Sequence, residues 1–204
     1  MDRRPRRRSI RDPQPDLRWE SARAPGQRHA TLADFVLHAY VARFGARAPA
    51  IMPELCALLD TGGHPVAVAG FRNAARDSLF LEQYLDMPIE AAITAATGGS
   101  ALREEIWEVG NLATHCPGAA RYFVSAAADK LVLRGATWAV FTGTRRVVAV
   151  FRRLGIPLLT LAEASPDRIV DGGRGWGDYY SHAPRVVLGQ VRRVPANADD
   201  GVAP

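Results

Sequence analysis

Glu108 is the residue of this 204-residue chain best placed for acid–base chemistry. It lies in EIWEVGNLA (residues 105–113), which reads as a strand. Alternation puts Ile106, Glu108, Gly110 and Leu112 on one face and Trp107, Val109, Asn111 and Ala113 on the other. Both faces are largely apolar, so the strand is expected near the middle of a sheet. A carboxylate there loses its hydration, and its pKa rises towards that of a general base, unless an arginine pairs it for structural reasons. Gly110 suits a bulge or the close approach of a ligand. Asn111 either binds an amide or satisfies neighbouring backbone, and the sequence leaves both open.

Other residues have the right type without that setting. Tyr179 and Tyr180, in GGRGWGDYY with Trp176, are proton donors by type or members of an aromatic cluster at a domain edge. Glu82 and Asp86 stand four apart, on one face of a helical turn that either holds an amine or faces water. Arg72 ends a strand and is a partner for any of these acids. Cys116 precedes Pro117 at a helix start, where a thiolate is stabilised but where a small residue also simply fits. The five histidines (29, 38, 64, 115 and 182) have no metal-ligand spacing, and His115 reads as a polar loop residue. GxSxG, Walker A, GxGxxG and HExxH sequences are absent. Most hydrolase, kinase and dehydrogenase readings fall with them, and no metal is expected.

The elements that must position these residues follow from periodicity. Residues 31–44 carry apolar positions at helical spacing, with Thr31 as N-cap and Asp34 near the positive end of the dipole. Residues 54–60 and 65–72 are short apolar runs around Thr61-Gly62-Gly63-His64, a hairpin. A helix is expected near 88–96. After the strand at 105–113 come a helix at 117–134, a strand at 137–142, an amphipathic helix at 144–154, a strand at 156–162 and a last strand at 185–191. A hairpin followed by strands alternating with helices implies a mixed sheet covered by helices.

Charge is unevenly distributed. The net charge of +5 and pI of 9.8 invite a nucleic-acid reading. Yet residues 1–11 hold six arginines against Asp2, and the rest of the chain is balanced. Residues 1–28, with four prolines and few apolar side chains, read as a disordered Arg-rich arm. Residues 194–204 read as a disordered tail, leaving one domain over 29–193, and no nucleic-acid partner is expected. No run approaches the roughly 18 apolar residues of a membrane-spanning helix, and the basic N-terminus lacks the apolar stretch of an export signal. Two cysteines suggest reduced thiols, and a cytoplasmic location is expected.

The segment TWAVFTGTRRVVAVFRRLGI resembles the end of the acyltransferase fold known as GNAT. There a strand leads into a helix that closes as Phe151-Arg152-Arg153-Leu154-Gly155-Ile156 does here. In more detail, LFLEQYLDMPIE (79–90), EVGNLA (108–113), PGAAR (117–121) and WGDYY (176–180), in this order, resemble the thermostable hemolysin family over roughly residues 32–191. FLEQYLD and IWEVGNLA are also similar to segments of the acyl-homoserine-lactone synthases, a GNAT branch.

The resemblance implies a single α/β (α+β) domain with a mixed, mostly antiparallel central sheet flanked by helices. It implies an N-acyltransferase that moves an acyl group, of fatty type, from acyl carrier protein or acyl-CoA to a small amine. Glu108 would be the base and Tyr180 a second catalytic residue. Val109, Gly110, Asn111, Gly118, Ala119, Arg121, Thr142, Thr144 and Phe151 would hold the acyl donor, and Glu82, Asp86 and Arg72 the amine. Pantetheine, on the carrier or on coenzyme A, is then a co-substrate and no cofactor is tightly bound. Two positions depart from the fold's habit: Phe151 replaces a proton-donating tyrosine, and 117–121 carries less glycine than a coenzyme A loop. The arginine arm could steer an acidic carrier. The alternative, suggested by the family name, is a membrane-active lytic protein using the amphipathic helix at 144–154.

Overall fold

The alternating apolar runs either side of Thr61-Gly62-Gly63-His64 form the expected hairpin, β2 (Glu54–Leu59) and β3 (Pro65–Asn73). The computed structural model describes residues 16–47, 49–115 and 118–193, and residues 1–15 of the arm, Cys116, Pro117 and the tail from 194 lie outside them. The arm does not extend to residue 28. Arg18–Arg23 form β1, antiparallel to β2, and Trp19 packs its ring on Phe71 and Phe123. The charges of Arg18, Glu20 and Arg23 had concealed an edge strand, where charge is common.

Helix α1 (Gln27–Phe44) starts four residues before the expected cap. Gly26 is its N-cap, and the Thr31 hydroxyl donates back to the Gln27 carbonyl from within the first turns. Then come α2 (Ile89–Thr97), β4 (Ile106–Thr114), α3 (Ala119–Leu133), β5 (Trp138–Gly143), α4 (Arg145–Arg153), β6 (Leu159–Glu163) and β7 (Arg185–Gln190). β6 begins later than expected, because Pro157 has no N–H to give a ladder.

Among the described residues the strands form one seven-stranded sheet, in the order β1-β2-β3-β4-β5-β7-β6. Every pairing is antiparallel except β4 with β5. β4 is therefore central, as its two apolar faces require. One face packs α1 and α2 through Leu32, Val36, Ile89 and Ile93. The other packs α3 through Phe123, Ala127 and Leu131.

β4 does not alternate to its end. Val68 pairs with Ala113 but Gly70 with Gly110, so one extra residue bulges from β4. Asn111 takes φ +52° there, and the faces exchange beyond it. Ala113 joins the Ile106 side, while Leu112 packs on the Trp107 side, the reverse of simple alternation.

Candidate active site

The parallel pairing of β4 and β5 lasts only from Ile106–Trp138 to Glu108–Val140. Beyond it the bulge holds β4 against β3 while β5 follows β7, and a wedge opens between the strands. Glu108 sits at the closed end of that wedge.

Glu108 is 3% exposed and holds both oxygens against backbone. Oε2 accepts from the Phe80 N–H at 2.8 Å and Oε1 from the Leu81 N–H at 3.0 Å. These are the first N–H groups of a 3-10 turn, Phe80–Tyr84, which have no partner within the turn. Burial pushes the carboxyl up to about 7, against the lowering effects of the Phe80 N–H, the Arg72 charge and the Leu81 N–H. The group is therefore anchored, yet it retains spare lone pairs and a pKa suited to taking a proton near neutrality.

Two cavities meet at this point. A small one of about 50 Å³ lies against Glu108, walled by Phe80, Tyr84, Trp176 and Tyr179. A larger one of about 260 Å³ extends between α3, α4 and the two strands, with Phe123, Ala127, Ala139, Phe141, Val147 and Phe151 on its walls. Both are lined by Tyr40, Val109, Gly110, Asn111, Thr142 and Tyr179. A group in one can thus reach a group in the other across the wedge.

Of the expected donor residues, Val109, Gly110, Asn111, Thr142, Thr144 and Phe151 line the larger cavity. Phe151 stacks on Phe141 at 4.8 Å and serves as apolar wall. Thr142 Oγ1 is buried without a partner, although its carbonyl accepts from the Tyr179 hydroxyl. The Asn111 side chain is committed to backbone: Oδ1 accepts from Met52 N–H at 2.9 Å and Nδ2 donates to the Ala50 carbonyl at 2.8 Å. Gly118, Ala119 and Arg121 form the start of α3, a turn before its cavity-lining stretch. Arg121 there lies over Tyr122 and donates to its hydroxyl.

The amine-side residues divide. Arg72 faces Glu108 in register across β3 and β4, and it lines the small cavity. Glu82 and Asp86 do not share a helical face, because the 3-10 turn ends at Tyr84 and Leu85 is extended. Glu82 accepts from the Leu79 and Ile89 N–H groups and pairs with Arg103. Burial would raise its pKa, but the Arg103 and backbone hydrogen bonds bring it below the ordinary value. Asp86 pairs with Arg168. Both carboxylates border an open depression apart from the Glu108 cavity. Tyr180 stands behind the wall, its hydroxyl 2.7 Å from that of Tyr84, and it is Tyr84 that lines the cavity. Tyr84 was within reach of sequence reasoning, since it belongs to the same FLEQYLD segment as Glu82.

The amphipathic helix α4 has no free apolar face. Val147, Phe151 and Leu154 line the larger cavity and the arginines face outward. Among the described residues, no helix is long and apolar enough to cross a membrane.

The architecture matches solved acyl-transferring proteins. FeeM, an N-acyl amino acid synthase from uncultured soil microbes, superposes with a TM-score of 0.58 at 14% identity, over 90% of this chain and 94% of that one. The acyl-homoserine-lactone synthase LasI gives 0.57 at 9% identity, over 89% and 93%. MesI, a CoA-dependent acyl-homoserine lactone synthase, gives 0.52 at 15% identity, over 87% and 90%. At such identities the likeness shows the fold, which is GNAT-like. A comparison with curated proteins gives no match. The family model described as thermostable hemolysin matches residues 23–194, from the last residue of the sheet's first strand to just past its last strand. The chain therefore belongs to the thermostable hemolysin family.

Proposed function

We propose that this protein is an N-acyltransferase that moves a fatty acyl group from a pantetheine thioester, on acyl carrier protein or coenzyme A, to a small amine. The observation that carries the reading is the junction of two cavities at the β4–β5 wedge, one apolar and one holding Glu108. An extended thioester entering the wedge puts its acyl chain among Phe123, Ala127 and Phe151, and its carbonyl near Gly110 and Thr142. An amine in the small cavity then faces that carbonyl and Glu108 together.

In this arrangement the amine nitrogen attacks the thioester carbon. The C–N bond forms, Glu108 receives the amine proton, and the C–S bond breaks to release pantetheine thiolate. Glu108 must be ionised to act, and a pKa of about 7 permits that without making it too weak a base. In this reading the Thr142 hydroxyl, buried without a partner, polarises the carbonyl. The solved relatives named FeeM and MesI, an N-acyl amino acid synthase and a CoA-dependent acyl-homoserine lactone synthase, support amide formation and leave either donor open.

The test is incubation with acyl-CoA and acyl-carrier donors, from acetyl to palmitoyl, against a panel of amines. Free thiol and amide mass should appear in equal amounts with long donors. Thiol release without amide, or no turnover with any pair, would overturn the proposal.

A further inference from the structure

Arg72 has an unused donor at the reaction junction. Its Nη1 donates to the Ser78 carbonyl at 2.9 Å, which fixes the guanidinium, while Nε is buried with no partner. An unmet buried N–H on a cation is costly, and folding alone gives no return for it. A guanidinium edge is matched in shape and charge by a carboxylate, which can accept two parallel hydrogen bonds from it.

Its position narrows the ligand. Arg72 and Glu108 are opposed across β3 and β4, an arrangement that sets Cβ atoms about 5 Å apart. Glu108 feels the arginine's charge, yet both its oxygens are bonded to the Phe80 and Leu81 N–H groups rather than to the guanidinium. Arg72 also borders an open outer depression of about 500 Å³ with His29 and Asp77. Ser78, whose carbonyl takes Nη1, lines that outer depression too, and His29 there is held by the Met52 carbonyl. The seat for an anion is therefore the inner edge of the guanidinium, beside Glu108.

We infer that Arg72 binds the carboxylate of the acceptor, and that the acceptor is an α-amino acid. Amine and carboxylate on one carbon then span the Glu108–Arg72 pair, the first against the base and the second against the guanidinium. The assignment of Glu108 to the amine rests on the acyltransferase reading; carboxylate binding by Arg72 does not.

The experiment compares free amino acids with their amides and their decarboxylated amines, by calorimetric binding and by acylation with one long-chain donor. For at least one amino acid, binding and kcat/KM should exceed those of its amide by about ten- to a hundredfold. Arg72→Gln should bring that ratio to about one, mainly through KM. Arg72→Lys should recover only part of it, since charge returns without the fork. Equal use of the amide by the native protein, or an unchanged ratio in Arg72→Gln, overturns the inference, and the native panel decides even if the variant does not fold. Amino-acid binding that depends on Arg72, with no acyl transfer to anything, upholds this seat and defeats the acyltransferase reading. Acylation of carboxylate-free amines alone does the reverse, and neither binding nor acylation defeats both.

Discussion

Gly70 and Gly110 face each other across β3 and β4, and the Met52 side chain fills the space that both leave. A Cβ on Gly70 would lie 2.5 Å from Met52 Cβ, whereas one on Gly110 would lie 2.6 Å from the terminal Cε. The first atom is fixed to the backbone and the second can swing away. Gly70→Ala should therefore destabilise by about 2–3 kcal/mol and Gly110→Ala by about 1 kcal/mol. Adding Met52→Ala to Gly70→Ala should leave most of the loss in place, because alanine keeps the Cβ and removes only the contacts with Sδ and Cγ. Urea midpoints of the three variants check this.

Glu108→Gln separates the acid–base role from the anchoring one. The ionised form is the base, so kcat/KM of the native protein should rise as pH passes through about 7. The variant should lose about a hundredfold or more and show no such limb. Stability moves the other way. The folded pKa of about 7 lies above the ordinary 4.5, so the group's contribution is full below pH 4.5 and is lost as pH rises through 7. That is up to about 3 kcal/mol. The glutamine keeps one acceptor and turns N–H groups against the other backbone donor. It should melt below the native protein at pH 4.5, with a gap that narrows by pH 8. Melting temperatures across that range decide it.

Much of this site could be read from residue pattern, because burial on both faces of 105–113 is a local property of the sequence. The central strand and the base candidate followed from it, and the hairpin from the apolar runs around Thr61-Gly62-Gly63-His64. What could not be read was set by contacts distant in sequence. Asn111 looked equally suited to a ligand and to backbone until residues 50–52 came against it, and Met52 carried no signal at all. The left-handed φ of Asn111 also inverted the faces beyond it, which alternation cannot foresee. Glu82 and Asp86 had the right charges, but Arg103 and Arg168, at long separations, had already engaged them. Charge along β1 suggested disorder because an edge strand tolerates it on its open side.

Chain length preference should follow the volume of the larger cavity. Ala139 lies on β5, pairs with Gly189 of β7 and contributes a small side chain to the wall. Ala139→Leu fills that space without touching Glu108 or Arg72. The donor with the highest kcat/KM should become shorter, while activity with acetyl or butyryl donors changes little. A ladder of acyl donors, assayed by thiol release, gives the measurement. An unchanged optimum would place the acyl chain elsewhere.

Thr142 should trade stability against activity. Its buried hydroxyl has no partner, so the protein bears the desolvation cost of a polar group and gains no hydrogen bond. Thr142→Val has nearly the same shape and removes that group, and it should stabilise the fold by about 1 kcal/mol. If the hydroxyl meets the thioester carbonyl as it becomes an oxyanion, the same change should lower kcat by about tenfold or more, with a smaller effect on KM. Loss of a donor used only in the transition state would show in kcat in this way, whereas simple disruption of the wedge would lower stability as well. Paired denaturation and steady-state measurements on the one variant therefore distinguish a hydroxyl held ready for substrate from one that is merely buried.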